Sequence, residues 1–229
     1  MDTESEKIAL ELANDLKDID LRTYFAQTQP LHVEIGSGKG TFLLQWAQDN
    51  PQFNCLGIEW AAKYYRYCID RVVRWRLENV RMLRTDAREL VGHRLLAGTV
   101  DVFHIYYPDP WPKKRHHKRR LLNRDSFVRL HHCLRTGGEL RITTDHAGYF
   151  EWMREYLEIC NPDGILFQEV PFIPVASADQ GYWVGSNFEK KYRLEGRSTY
   201  RLALKKQFAQ TGLATSPGWI RAGRGALWR

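Results

Sequence analysis

Cysteine is scarce in this chain and is not spaced to hold a metal. The four cysteines form no CxxC or other metal-ligand pattern, so we expect reduced, mostly buried thiols and no metal site. Long apolar runs are also missing, which excludes a membrane-spanning helix. The N-terminal segment is acidic and lacks a basic region followed by an apolar one. We therefore expect no secretory signal and a cytoplasmic protein. The cysteines are Cys55, Cys68, Cys133 and Cys160.

Charge is distributed unevenly along the chain. The 229 residues contain 34 lysines and arginines and 27 aspartates and glutamates, for a formal net charge of +7. The run 113–120, KKRHHKRR, carries six of the basic residues, and residues 187–229 carry ten against two glutamates. The remaining body is therefore acidic. This pattern indicates that a polyanion contacts one defined face, although a charged run is also typical of a solvated loop.

Short apolar segments alternate with helical patterns from Leu31 onward, and the length fits one large domain. This alternation predicts a doubly wound α/β domain with a parallel sheet, spanning residues 31–206. We expect a helical extension over 1–30 and a flexible basic tail over 207–229. The seven predicted strands cover 31–35, 53–58, 80–84, 100–106, 139–144, 165–170 and 199–204. The predicted helices cover 40–48, 61–76, 124–134 and 147–159.

Three glycines follow the first predicted strand. Gly36, Gly38 and Gly40 in the segment VEIGSGKG let the backbone approach a ligand closely. Thr41 stands where the dinucleotide fingerprint needs a glycine, and Lys39 is not followed by the serine or threonine of a P-loop. A nucleotide diphosphate is therefore disfavoured. A turn of this kind can also serve only as a tight connection between a strand and a helix.

Acidic side chains lie in the first predicted strand and at the ends of the next two. Glu59 follows the glycine loop by about 20 residues, where nucleotide-binding folds place an acid against a ribose diol. Asp86 can accept from an adenine amino group or cap the helix that follows. Glu34 lies inside an apolar strand, where an unpaired carboxylate is costly, so we expect it to meet a cationic amine of a ligand.

A rigid acidic turn follows the fourth predicted strand. Asp109 lies between Pro108 and Pro110, which restrict the backbone on both sides and suit a fixed catalytic carboxylate. Trp111 suits stacking on a base. The alternatives are a turn-capping Asp109, a core-packing Trp111 and a solvated or localisation-type basic run. We predict phosphate or sugar contacts from Lys113, Lys114, Arg115, Lys118, Arg119 and Arg120.

The glycine loop, Glu59 and Asp86 together resemble the S-adenosylmethionine site of class I methyltransferases. Further segments make residues 31–204 similar to the bacterial type of the tRNA (guanine-N7)-methyltransferase family. These segments are LGIEW, NVRMLRTDA, YYPDPWPKKRHHKRRL, LRTGGELRITTD and SNFEKKYRLEGR. The resemblance implies a Rossmann-like class I methyltransferase fold whose last strand is antiparallel. It also implies methyl transfer from S-adenosyl-L-methionine to N7 of guanine 46, in the variable loop of tRNA.

The same resemblance implies roles for individual residues. It makes Asp109 both the catalytic residue and a cofactor contact. The other implied cofactor contacts are Glu34, Gly36, Gly38, Gly40, Glu59 and Asp86. The implied substrate contacts are Lys113, Asp145, Ser186, Asn187, Phe188 and Glu189.

Two other functions stay open at this point. A non-catalytic RNA-binding protein on the same fold would need a broken cofactor site, whereas the glycine loop, Glu59, Asp86 and Asp109 are all present. A methyltransferase acting on rRNA or DNA would share the cofactor site and differ in substrate. We expect tRNA as the macromolecular partner, no membrane contact and no obligatory protein partner, in a monomer or homodimer.

Overall fold

An eight-stranded sheet forms the centre of the protein. The structure is a computed structural model and describes residues 3–13, 15–175 and 184–207. The strands are β1 (Ala9–Leu10), β2 (Leu31–Ile35), β3 (Asn54–Ile58), β4 (Val80–Leu83), β5 (Val100–Tyr106), β6 (Leu134–Thr144), β7 (Phe167–Val170) and β8 (Tyr200–Lys206). The order across the sheet is β1-β4-β3-β2-β5-β6-β8-β7.

Parallel pairing joins the strands from β1 to β6, and β8 runs antiparallel to both β6 and β7. The parallel sheet and the antiparallel last strand were both predicted and are confirmed. The predicted number of seven strands is wrong, because Ala9 and Leu10 pair with Met82 and Leu83 of β4. Two residues are too few for a period-2 pattern, so only the tertiary contact reveals this strand.

Helices cover both faces of the sheet. They are α1 (Thr3–Ile8), α2 (Thr41–Asp49), α3 (Ala62–Trp75), α4 (Ala87–His93), α5 (Arg124–Cys133), α6 (Ala147–Cys160) and α7 (Asn187–Leu194). One hydrophobic cluster joins α2 and α3 to the sheet, and another joins α4, α5 and α6 to it. Alternate side chains of β3 enter the two clusters: Cys55 enters the first, Leu56 and Ile58 the second. This layering is typical of a doubly wound fold.

The predicted helices at 40–48, 61–76, 124–134 and 147–159 are confirmed within one or two residues by α2, α3, α5 and α6. The structure adds α4, α7 and a 3-10 helix over Lys114–Arg119, all too short to show a clear period. Within the described residues of the predicted N-terminal extension, 3–13 and 15–30, helical structure is found at α1 and at a 3-10 turn, Leu21–Tyr24. The predicted tail lies outside the described residues from 208 onward.

The four cysteines are buried as free thiols, as predicted. No helix among the described ranges has both the length and the apolar character that a bilayer crossing requires.

Candidate active site

The candidate site residues follow the carboxyl ends of five neighbouring strands. Register pairs Ile35 with Ile58 and with Ile105, so the segments after β2, β3 and β5 leave the sheet at one level. The segments after β4 and β6 continue the same edge. The glycine loop, Glu59, Asp86, Asp109 and Asp145 therefore gather at this edge, where parallel α/β sheets bind ligands.

The glycine loop needs its glycines for two different reasons. Gly36 and Gly40 adopt positive φ angles of 80° and 70°. A Cβ on Gly36 would have no heavy atom within 4 Å, so this side of the loop is open to a ligand. A Cβ on Gly40 would stand 2.4 Å from the Sγ of Cys68, so this glycine lets α2 and α3 pack. The N–H groups of Gly36 and Ser37 donate to the carbonyl of Ile58 at 2.8 and 3.2 Å.

Glu59 holds the glycine loop and the start of α3. One carboxylate oxygen accepts from the N–H of Gly38 at 2.8 Å, and the other accepts from the N–H of Ala61 at 2.7 Å. Each oxygen of an ionised carboxylate can accept a second hydrogen bond, so the group can also bind the hydroxyls of a ligand. The sequence indicated the ligand contact and did not reveal the loop contact.

Glu34 is a buried carboxyl group with an unsatisfied atom. Its residue is 5% exposed, and its Oε2 lacks a hydrogen-bond partner within the described part of the chain. The buried hydroxyl of Ser37 lacks one as well. Burial, and then the charge of Glu59, raise the pKa of Glu34 to about 8. Two unsatisfied polar atoms beside an open loop fit a ligand that donates hydrogen bonds, and a cationic amine would favour the ionised carboxylate.

Asp86 caps α4, which was the structural alternative drawn from the sequence. Its carboxylate accepts from the Arg88 N–H at 2.9 Å and receives the guanidinium through contacts of 3.1 and 2.7 Å. Partial burial acts to raise the pKa of Asp86, but these contacts with Arg88 outweigh it and lower the pKa. The carboxylate is held in a fixed orientation, and its contact with a cofactor stays a prediction.

The turn that carries Asp109 is held in an unusual backbone conformation. Tyr107 and Trp111, on either side of it, adopt left-handed φ angles of 53° and 42°. Such angles cost about 1–3 kcal/mol at a non-glycine residue and persist where the surroundings enforce them. The Asp109 side chain is exposed. Arg119 lies over the Trp111 ring at 4.9 Å and His116 meets its edge, so this indole packs against the basic segment.

The basic segment separates into two kinds of residue. Five of its cationic side chains are exposed: Lys113, Lys114, Arg115, Lys118 and Arg119. Arg120 is only 3% exposed and donates to the Pro110 carbonyl at 2.8 Å. The prediction that Arg120 contacts phosphate is therefore wrong in this structure, because its guanidinium is enclosed by protein. Charge along the sequence does not distinguish it from its neighbours.

The remaining predicted substrate residues are Asp145, which follows β6, and residues 186–189 at the start of α7. Asp145 accepts a hydrogen bond from Arg197 at 2.8 Å, a contact that the sequence did not reveal. Ser186 caps α7 by accepting from the Glu189 N–H at 3.1 Å. The Glu189 carboxylate in turn accepts from the N–H groups of residues 184 and 185 at 2.9 and 2.8 Å. The side chains of Asn187 and Phe188 are exposed.

A buried polar chain beside Glu34 was also missed. His32 of β2 lies 3.1 Å from His104 of β5, and His104 lies 2.7 Å from the hydroxyl of Tyr106. Burial lowers the pKa of His32 to about 4, so its ring is neutral at pH 7. The available signal was a histidine in each of two mostly apolar strands. The chain links the strands through polar contacts directly before Tyr107 and the Asp109 turn.

Comparison with solved structures places this fold in a class. The aminoglycoside resistance methyltransferase NpmB1 aligns with a TM-score of 0.52 at 16% identity, covering 84% of this chain and 94% of that one. A SAM-dependent methyltransferase from Aquifex aeolicus aligns with a TM-score of 0.51 at 12% identity, covering 77% and 82%. The fold is therefore that of the Rossmann-like methyltransferases.

Sequence comparison narrows the class to a family. A family model described as "Putative methyltransferase" matches residues 28–171. A tRNA (guanine-N(7)-)-methyltransferase from Rhodopirellula baltica is 36% identical over 195 residues, or 82% of this chain and 70% of that protein. One from Streptococcus thermophilus is 33% identical over 178 residues, or 78% of this chain and 81% of that protein. The chain belongs to the tRNA (guanine-N7)-methyltransferase family, which confirms the resemblance.

Proposed function

We propose that the protein transfers a methyl group from S-adenosyl-L-methionine to N7 of guanine 46 in the variable loop of tRNA. The observation that carries the proposal is the family match over residues 28–171, because this range contains the glycine loop and all four acids that follow the strand ends. Relatives at 33–36% identity are named tRNA (guanine-N(7)-)-methyltransferase, which supports the substrate class and the target atom. We further propose a cytoplasmic monomer or homodimer without an obligatory protein partner.

The residues at the sheet edge fit this cofactor. S-adenosylmethionine supplies an electrophilic methyl group and carries an amino group, a ribose and an adenine, with no phosphate. Glu34 Oε2 is a free acceptor for the amino group. Gly36, Gly38 and Gly40 let the backbone approach it, and Glu59 and Asp86 accept from the ribose hydroxyls and the adenine amine.

The chemistry assigned to Asp109 follows from the target atom. Guanine N7 has a free lone pair and no proton to remove, so the reaction needs no strong general base. The protein must align the nitrogen with the methyl carbon and the sulfur, because orientation supplies much of the rate enhancement. Positive charge moves onto the purine as the new N–C bond forms and the S–C bond breaks. Asp109 or Asp145 either stabilises this charge or holds the N1–H and amino edge of the guanine.

The decisive experiment compares two tRNAs that differ in one nucleotide. Unmodified tRNA with a guanine at position 46 is expected to accept labelled methyl groups, and a twin with adenine at that position is expected to accept none. Cleavage chemistry specific for N7-methylguanosine then maps the product. Transfer to both tRNAs would exclude position 46, and transfer only to rRNA or DNA would exclude the substrate class. Bound cofactor without transfer to any nucleic acid would favour a non-catalytic RNA binder.

The exposed basic residues are expected to contact tRNA phosphates. Lys114→Gln and Lys118→Gln should raise the tRNA KM. They should also make the plot of log affinity against log salt concentration less steep, by about 0.7–0.9 for each phosphate contact that is lost. Arg74→Gln is the matched control, since Arg74 is exposed near the end of α3, which runs away from the site edge. An unchanged salt slope in the Lys114 and Lys118 variants would show that the segment is only solvated.

A further inference from the structure

Arg120 differs from the rest of the basic segment in its surroundings. Its guanidinium carbon lies 4.9 Å from the ring centre of Tyr149 and 4.7 Å from that of Trp152, both on α6. Its Nε donates to the Pro110 carbonyl at 2.8 Å. No carboxylate within the described ranges forms an ion pair with it. A buried cation held only by two rings and a carbonyl is costly, so its placement requires an explanation.

The turn around Asp109 cannot hold itself in place. Proline occupies positions 108, 110 and 112, and proline has no N–H to donate. The turn is attached before Asp109 where the Tyr107 N–H donates to the Thr143 carbonyl at 2.9 Å. After Asp109, the hydrogen bond from Arg120 attaches it at the next residue. Left-handed backbone at Tyr107 and Trp111 requires such external contacts to persist.

The same two aromatic residues also fix the chain beyond Arg120. The Tyr149 hydroxyl accepts from the Leu122 N–H at 3.0 Å, and the Trp152 indole N–H donates to the Leu122 carbonyl at 2.9 Å. Both backbone polar groups of Leu122 therefore bind α6. This helix begins at Ala147, directly after Asp145 and His146. Arg120 thus connects the residue next to Asp109 with the helix that follows Asp145.

We propose that Arg120 is a positioning residue that sets the Asp109 carboxylate relative to Asp145 by tying the Pro110 carbonyl to α6. The inference rests on the proposed function and extends it to a residue that touches neither tRNA nor cofactor. A planar guanidinium suits this task because it stacks between two rings while its edge donates a hydrogen bond. Lysine keeps the charge and has no planar stacking surface.

The kinetic test separates positioning from phosphate binding. Arg120→Lys and Arg120→Met are expected to lower kcat by about 100-fold, as for a displacement near 1 Å at a reacting group. The tRNA KM and its salt slope should stay unchanged. The Lys114→Gln and Lys118→Gln variants should give the opposite result, with a higher KM and a lower salt slope. Arg74→Gln, near the far end of α3, should leave kcat, KM and the salt slope unchanged. Rates are divided by the fraction of protein that binds S-adenosylmethionine, so loss of folded enzyme does not count as loss of kcat.

A second measurement does not depend on the substrate. Hydrogen exchange in the peptide spanning 107–120 is expected to be at least 10-fold faster in Arg120→Met than in the wild type and unchanged in Arg74→Gln, which lies outside this peptide. If Arg120→Met does not fold, Arg120→Lys replaces it in this measurement, because lysine keeps the buried charge and lacks the planar guanidinium. Unchanged exchange or an unchanged kcat in the Arg120 variants would overturn the inference. If exchange is faster in Arg120→Met but the wild type does not methylate tRNA, the proposed function alone is overturned.

Discussion

Asp109→Asn and Asp109→Ala are expected to lower kcat for tRNA methylation by about 100-fold to 1000-fold, the usual loss when a preorganised electrostatic contact is removed. The affinity for S-adenosylmethionine should change only a few-fold, because Glu34, Glu59, Asp86 and the glycine loop remain. Steady-state methyl transfer gives kcat, and calorimetric titration gives the cofactor Kd. The two variants also separate the two roles left open above. Equal losses indicate charge stabilisation, whereas a milder loss in asparagine indicates hydrogen bonding to the guanine edge.

Asp163→Asn serves as the control for this pair. Asp163 is an exposed acid in the 3-10 turn before β7, away from the carboxyl ends of β2 to β6. The kcat of the Asp163→Asn variant should equal that of the wild type. A kcat near the wild-type value in both Asp109 variants would remove Asp109 from the catalytic assignment.

Glu34→Gln is expected to weaken S-adenosylmethionine binding by about 10-fold to 100-fold, the range for loss of a hydrogen bond to a charged partner. Burial raises the pKa of Glu34 to about 8, so the free protein holds this carboxyl protonated at pH 7. A cationic amine bound against it favours the ionised form and lowers that pKa. Binding should therefore release a proton, and the affinity of the wild type should rise from pH 6 to about pH 7.5.

Calorimetry in buffers of different ionisation enthalpy measures that proton directly. The wild type should release up to one proton per cofactor at pH 7, and Glu34→Gln should release none from this site. Glu78→Gln, an exposed change in the turn before β4, should behave as the wild type does. Equal proton release in Glu34→Gln and the wild type would show that Glu34 does not meet the amino group.

The sequence predicted the central strands well for a physical reason. β2 and β5 have the predicted limits, since parallel strands covered on both faces are mostly apolar in sequence. β1 has two residues, and α4 has seven, so neither carries a period that a sequence can show. The pairing of Ala9 and Leu10 with Met82 and Leu83 identifies β1 as a strand.

The candidate site was predicted in its location and only partly in its contacts. The position of an acid directly after a strand can be read from the sequence, so the location of Glu59, Asp86 and Asp109 at the sheet edge was predicted. The partners of a side chain depend on folding, so the Asp86 contact with Arg88 and the Asp145 contact with Arg197 were not specified. Arg120 is a third example, because it differs from five basic neighbours in being buried, and burial depends on the folded structure.

The short strand at Ala9–Leu10 also bears on how the folded protein avoids self-association. It pairs with Met82 and Leu83 of β4 and so covers the apolar second half of that strand's outer edge, where N–H and C=O groups would otherwise be unpaired. An uncovered apolar strand edge is a template for pairing with another chain. The N-terminal segment that ends at Leu10 thus acts as a cap against intermolecular β-pairing, and shortened forms that begin after Leu10 would expose that template.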